Sequence, residues 1–448
     1  MKQSRWLSLV ILCTGFLLIV VDMTIVNVAL PTIGRDLRFT PNGLAWVLNA
    51  YLVAFAGLLL LFGRLADLVG AKRIFLTGLA IFVAASLACG LAPSQQVLIG
   101  ARFVQGIGGA ASSAVILAMI VGLFPEPEEQ AKAFGVFGFV ASAGAAVGLV
   151  TGGLITQVVT WHWIFFVNIP IGVTTAVLAY RLLPATPGLG LRQGADAAGA
   201  LLITASLMLG VYAIVSASAP AGLVALALLG AFLVRQTRTA NPMLPLRLFR
   251  SLTLSGTNAV QTLLSAAFLS FFFLASLDME KVLGYGPLAL GLGFLPVAAV
   301  MGIFSIRFSA RLVMRFGGFK VLLAGQAVIL VALVMVALGP PRVEYLRDLL
   351  VPMALLGLGG GLSFPALTMI AMSDVPAEDT GIASGLLNTT GQTGGALGLA
   401  VLATVAALAG FHAAWLVSAV IVVATIGVTV SMLRPRAALP LLELEEAA

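Results

Sequence analysis

Charge is what this sequence has least of. Only 9% of its 448 residues are Asp, Glu, Lys or Arg, against about 25% in a soluble domain. Histidine occurs twice, as His162 and His412, and cysteine twice, as Cys13 and Cys89. Both cysteines lie in apolar runs and read as small core residues, which excludes a disulfide framework or a cysteine-built metal site. With no H-E-x-x-H pattern, no paired carboxylates and no Walker sequence, neither an enzyme nor an ATP-driven pump finds its residues here. No cofactor and no metal are expected.

What is abundant is apolar. Hydrophobic residues make up 60% of the chain, and the mean hydropathy is +1.12. A soluble fold has no use for that much apolar surface, so the reading is an all-α polytopic membrane protein. The net charge of +7 reads as basic cytoplasmic loops beside membrane lipids, not as a nucleic-acid surface. The opening "MKQSRWLSLVILCTGFLLIV" starts like a signal peptide. Its apolar stretch runs from Trp6 to Pro31, too long for one, so it is kept as a span.

About 20 apolar residues cross a bilayer as a helix. Breaks at Pro, Gly and charge clusters give fourteen candidate spans: 7–30, 44–63, 74–92, 96–123, 132–157, 162–183, 197–216, 220–235, 253–277, 288–306, 320–339, 349–372, 381–409 and 411–433. An even count puts both termini on one side. The base-rich segments, among them those holding Arg64, Lys72, Arg73, Arg307, Arg311, Arg315 and Lys320, make that side the cytoplasm; the membrane expected is a bacterial cytoplasmic one. Only Arg35, Arg38, Lys281, Arg342 and Arg347 fall outside.

The chain also repeats itself. In "GRLADLVGAKRIFLTG" and "ARLVMRFGGFKVLLAG", Leu65, Gly70 and Gly78 return as Leu312, Gly317 and Gly325. The same offset carries Gly144 and Gly148 to Gly391 and Gly395, and "QGIGGA" is echoed by "LGLGGG". Two six-helix halves related by pseudo-symmetry are expected, 1–183 and 251–448, with a linker of two additional transmembrane helices at 184–250.

These segments resemble the major facilitator superfamily, and within it the fourteen-span drug:proton antiporters, over essentially the whole chain. "DMTIVNVALPTI" is similar to their first-span signature, "GRLADLVGAKR" to the loop motif between spans 2 and 3, and "RFVQGIGGA" to the fourth-span motif. "GAAVGLVTGGLI" resembles the fifth-span antiporter motif, and "WHWIFFVNIPIG" and "SGLLNTTGQTGGALG" resemble further family stretches. Departures are Leu68 and Ala71 where arginines are usual, Met314 at the position equivalent to Asp67, and Leu149 in place of the antiporter-motif proline. The resemblance implies a conformational latch at Gly63, Asp67, Gly70, Lys72 and Arg73, with Asp67 facing a helix N-terminus of the other half. The competing reading is a plain topology-setting basic loop. In span 5, Gly144, Gly148, Gly152 and Gly153 form a groove for close helix approach, either coupled to transport or simply packed.

Asp22 stands alone in the apolar run "GFLLIVVDMTIVNVALP", where a charge costs on the order of 3 kcal/mol or more. Arg102 is the base buried well inside a span. If span 4 starts near Ser94, eight residues put Arg102 about 12 Å deep. Span 1 rises from near Leu7, so Asp22 lies about 22 Å up, or about 8 Å below the outer face of a core about 30 Å thick. The depths agree within a side chain's reach. The resemblance puts spans 1 and 4 beside a central cavity, so Asp22 is expected to face it with Arg102 as a proton-coupling pair. The alternative is a structural brace.

Candidate substrate groups at depth are Asn27, Asn49, Gln105, Asn258, Gln261, Asn388 and Gln392, with Phe272 from the cluster Phe268, Phe271, Phe272 and Phe273. Asp278 and Glu280, near the outer end of the same span, are candidates for attracting a cation. So apolar a cavity favours bulky lipophilic substrates. Two functions follow. One is a proton-coupled secondary transporter, monomeric, exporting lipophilic or cationic drugs or metabolites by alternating access. The other is a lipid or amphiphile exporter or facilitator with weak or no proton coupling.

Overall fold

In a bilayer every backbone N–H and C=O must find its partner inside the chain, so apolar runs of this length have only the helix available. The computed structural model describes residues 2–185, 188, 190, 196–239, 242, 244, 246–340, 344–373 and 380–434. Among these residues there are fourteen long helical segments and no strand. The first six are α1 (Lys2–Asp36), α2 (Pro41–Val69), α3 (Ala71–Gly90), α4 (Gln95–Leu123), α5 (Pro127–Val158) and α6 (Trp163–Leu182). A pair follows, α7 (Ala197–Val215) and α8 (Ala219–Arg238). The last six are α9 (Leu252–Leu283), α10 (Pro287–Phe316), α11 (Gly318–Ala337), α12 (Tyr345–Ser373), α13 (Thr380–Ala409) and α14 (Phe411–Met432). Thirteen are long and apolar enough to cross a membrane; in α5 the apolar stretch is the shorter Ala146–Val158. Parts of the expected linker, 186–187, 189 and 191–195, lie outside the described residues.

Local chemistry sets the ends. Thr40 accepts from Gly43 N at 3.1 Å and Pro41 follows it, which starts α2. Ser251 caps α9 by accepting from Leu254 N at 3.2 Å. The sharp turns from α2 into α3 and from α10 into α11 are made by Gly70 (φ 106°) and Gly317 (φ 84°), a region open to glycine and strained for other residues.

Glycines singled out by the sequence offset sit at helix crossings. A Cβ on Gly78 would meet the backbone and hydroxyl of Ser112, and one on Gly325 those of Ser363. Gly144 and Gly148 of α5 abut Leu17 and Thr24 of α1, while Gly391 and Gly395 of α13 abut Gln261 and Leu269 of α9. Helices approach closely at these points because the side chain is missing.

The first six helices pack among themselves, as do the last six, and two seams join the groups: α5 on α10 and α2 on α13. At the first, Gly153 meets Pro287 and Leu288, and Gly291 meets the Leu149 carbonyl. At the second, Gly385 abuts Leu60. One apolar cluster joins Ile25 to Ile33 of α1 with Leu274 and Leu277 of α9 and Phe294 of α10. Beyond it, at the end of the bundle away from the loop motif, Arg35 Nε pairs with Glu280 Oε1 at 3.3 Å.

The pair α7 and α8 lies outside both groups, with α7 against α2 and α13. Gly57 gives α7 its approach at Thr204. The pair is stapled at one end by Asp196, whose Oδ1 accepts from Gly199 N (2.8 Å) and Arg235 Nε (2.6 Å) and whose Oδ2 accepts from Gln236 Nε2 (2.6 Å). Burial alone would raise its pKa, but the hydrogen bonds from Arg235, Gln236 and Gly199 outweigh it and hold the carboxyl below its ordinary value. A depressed carboxylate stabilises the fold above its unfolded pKa of about 4, and that stability is lost as pH falls through the lower folded value. Asp196→Ala is therefore expected to cost about 2 kcal/mol at pH 7. In thermal unfolding of purified protein, the gap from wild type should close on acidification below about pH 4.

Candidate functional site

The site is built around a carboxylate that water does not reach. Asp22 of α1 is fully buried, so each of its oxygens must be satisfied by protein. Oδ2 accepts from Arg102 Nη1 at 2.6 Å. Oδ1 accepts from Gln105 Nε2 and from Asn168 Nδ2, both at 2.8 Å. α4 delivers Arg102 and Gln105 one turn apart on one face, and Arg102 Nη1 also donates to Gln105 Oε1 at 2.6 Å. Gln105 Nε2 donates onward to Ser86 Oγ of α3 at 2.8 Å. The guanidinium is held from α2 as well: Nε donates to the Val47 carbonyl at 3.0 Å, and the group lies 4.5 Å from the centroid of the Tyr51 ring. Depth estimates from chain length thus bring together two residues that are in direct contact.

A cavity of about 540 Å³ lies beside this cluster. Asn27 and Thr24 of α1, Tyr51 of α2 and Arg102 of α4 line one side; Gln261, Ser265, Phe268 and Phe272 of α9, Phe364 of α12, and Asn388 and Gln392 of α13 line the other. Phe272 packs tilted on Phe294 at 5.4 Å and edge-on to Phe268 at 5.7 Å. Asp22 does not line the cavity; Arg102 and Tyr51 stand at the wall in its place. The expectation that the carboxylate faces the cavity is corrected. An exposed ion at this depth would need water, whereas the buried one has three donors.

Half of the expected substrate groups are where they were placed: Asn27, Gln261, Phe272, Asn388 and Gln392 line the cavity. The others do not. Gln105 is spent on Asp22. Asn258 donates to the Leu254 carbonyl and accepts from Thr390 Oγ1 at 2.9 Å, which ties α9 to α13. Asn49 is fully buried away from the cavity. Glu280 is engaged with Arg35 at the far end, and Asp278, two residues before it on α9, also lies outside the cavity. Of the phenylalanine cluster, Phe271 turns instead onto Trp415 at 5.3 Å.

In the loop motif, Gly70 makes the turn and Gly63 has open space around it. The Asp67 side chain is 61% exposed and pairs with Arg64 of its own helix at 3.8 Å. Lys72 donates to the carbonyls of Tyr180 and Leu183 at 2.8 and 2.6 Å, closing the C-terminal end of α6 inside the same helix group. Arg73 is exposed. Residues 374–379, which precede α13, lie outside the described residues. The antiporter glycines divide: Gly144, Gly148 and Gly152 clasp α1 at Leu17, Thr24 and Ile25, and Gly153 turns to α10. Sequence reading missed Asn168, Ser86 and Tyr51, although Asn168 is a lone amide in the apolar run "IFFVNIPIG".

The Major Facilitator Superfamily profile matches residues 12–399. The chain belongs to this superfamily. A cephamycin export protein of Amycolatopsis lactamdurans is 39% identical over 413 residues, covering 89% of this chain and 84% of that one. A puromycin resistance protein of Streptomyces alboniger is 37% identical, covering 90% and 82%. A lincomycin resistance protein of Streptomyces lincolnensis is 34% identical, covering 90% and 85%. Among solved structures, the human organic anion transporter MFSD10 aligns with a TM-score of 0.68 at 15% identity, covering 95% of this chain and 99% of that one. This facilitator is a multi-pass membrane transporter and not an enzyme.

The buried pair sets a stability test. Arg102→Met strands the Asp22 charge and is expected to cost about 3–5 kcal/mol, while Asp22→Leu combined with Arg102→Met recovers most of the loss. Thermal unfolding of the purified single and double variants measures both.

Proposed function

We propose that this chain is a proton-coupled secondary transporter that exports lipophilic small molecules across a bacterial cytoplasmic membrane by alternating access. On this reading both termini are cytoplasmic, the six-helix halves 1–183 and 251–448 rock against each other, and the pair within 184–250 rides on the α2–α13 seam. The observation that carries it is Asp22: a carboxylate at membrane depth, bound to Arg102 at 2.6 Å, directly behind the wall of a largely apolar cavity. Such a residue is costly to keep without a function. The export and resistance functions in the relatives' names support the direction of transport.

The cycle has three parts. Asp22 takes and releases the coupling proton as α1 shifts against α4 and its contacts with Arg102, Gln105 and Asn168 loosen and re-form. The glycines of α5 transmit that shift, because they grip α1 from Leu17 to Ile25, on either side of Asp22, and touch α10 in the other half. The loop motif around Asp67 and Gly70 latches the cytoplasmic end. One carboxylate gives about one proton per cycle, so an uncharged cargo is still driven by the pH gradient.

Asp22→Asn is nearly isosteric and separates this reading from a structural brace. The variant is expected to fold and bind cargo, yet to lose pH-driven transport of an uncharged lipophilic aromatic amide in proteoliposomes by at least about tenfold. Undiminished pH-driven transport would remove Asp22 from the coupling and favour a structural role for the pair.

A further inference from the structure

The cavity's charge pattern selects its cargo. Resting on the export reading above, we propose that the cavity takes uncharged amphiphiles bearing hydrogen-bond acceptors, such as carbonyl groups on an aromatic body, and discriminates against cations and anions alike. This narrows the lipophilic-or-cationic class expected from the sequence.

Among the described residues the only charged side chain lining the cavity is Arg102. A cation entering there meets like charge and no carboxylate. Asp22 cannot serve it, because Oδ2 is taken by Arg102 and Oδ1 by Gln105 and Asn168, and neither oxygen is exposed. Asp278 and Glu280, the remaining acids of α9, lie beyond the cavity, with Glu280 paired to Arg35. An anion fares no better. Asp22 already compensates Arg102 at 2.6 Å, so the pair is net neutral and offers an incoming carboxylate no unmatched charge to offset the water it gives up. Either ion would also lose its water in an aromatic-walled space with no compensating charge.

A neutral acceptor is well served. Arg102 commits Nη1 to Asp22 and Gln105 and Nε to Val47. Its Nη2 amino group has no hydrogen-bond acceptor among the described residues, on a side chain that lines the cavity. Across the cavity, Gln261 Nε2 makes one 3.3 Å bond to Ser265 Oγ and has a second hydrogen to give. Phe268, Phe272 and Phe364 supply the faces and edges for an aromatic body, with Phe268 and Phe364 5.3 Å apart.

The test is a charge series on one scaffold: a naphthylbutanamide, the matching naphthylbutanoate, and a naphthylpropyl-trimethylammonium. Binding to the full chain purified in detergent is measured by equilibrium dialysis at pH 7, with no gradient. The amide is expected to bind about tenfold or more tighter than either ion. Gln261→Glu places a carboxylate on the wall and is expected to raise ammonium binding about tenfold; Asn388→Asp, on an exposed cavity residue, tests the same point should the first variant fold poorly. An ion binding as tightly as the amide, or an amide that does not bind, overturns the proposal. The readout is independent of coupling: a failed charge series leaves the Asp22→Asn transport result standing, and the reverse holds.

Discussion

A carboxylate in a membrane interior must be answered by donors that the fold itself supplies, and the helix arrangement around Asp22 follows from that demand. Asp22 takes one donor from Arg102, one from Gln105 and one from Asn168, so α1, α4 and α6 are locked at a common depth. Gln105 extends the network to Ser86 of α3, and the Val47 carbonyl fixes Arg102 from α2. Five of the first six helices thus meet at one charge. The sixth, α5, contributes no donor. It contributes absence: glycines that let α1 lie close enough to hold the carboxylate in place.

The seams between the helix groups are of a different kind. They are apolar and rest on close backbone approach, as where Gly153 meets Pro287 and Gly291 meets Leu149. Among the described residues an ion pair between the groups, Arg35 of α1 with Glu280 of α9, has one partner 70% exposed, and such pairs contribute about 0–1 kcal/mol. Polar chemistry therefore concentrates inside each group, and the boundary carries little of it. Contacts without fixed hydrogen bonds can slide or part at low cost, which suits two bodies that alternate. The Asp196 staple obeys the same division, since it joins α7 to α8 and does not bind either pair member to α2 or α13 by charge.

Much of this was legible in the chain. Apolar run length decided the helices, because a bilayer leaves the backbone no alternative. Gly78 and Gly325, matched by the sequence offset, each abut a serine of the next helix, Ser112 and Ser363. Span depth, with the resemblance that sets spans 1 and 4 side by side, paired Asp22 with Arg102. What could not be read was azimuth. Depth says how far along a helix a residue sits but not which way it points, and a polar residue in an apolar run has two ways to be satisfied. Asn27 and Gln261 point into the cavity; Asn258 and Gln105, at comparable depth, turn to a neighbouring helix. Asp278 and Glu280, read as candidates near the outer end of the same span, lie outside the cavity for a related reason. α9 is 32 residues long, and its last turns extend past the cavity. Lys72, one of the loop-motif residues, spends its ammonium on the carbonyls of Tyr180 and Leu183 at the nearest helix end.

The wall between Asp22 and the cavity bears on whether the pair can be opened at all. A buried ion pair usually cannot lose one charge without stranding the other. Here the guanidinium has other holds. If Asp22 takes a proton, Arg102 keeps the Val47 carbonyl, the Gln105 oxygen and the face of Tyr51 at 4.5 Å, and a desolvated cation–π contact is worth about 2 kcal/mol. Neutral Asp22 in turn keeps Gln105 and Asn168 as donors to Oδ1. The guanidinium thus keeps partners besides the Asp22 charge, which a purely structural bridge does not require and a site that cycles its proton does.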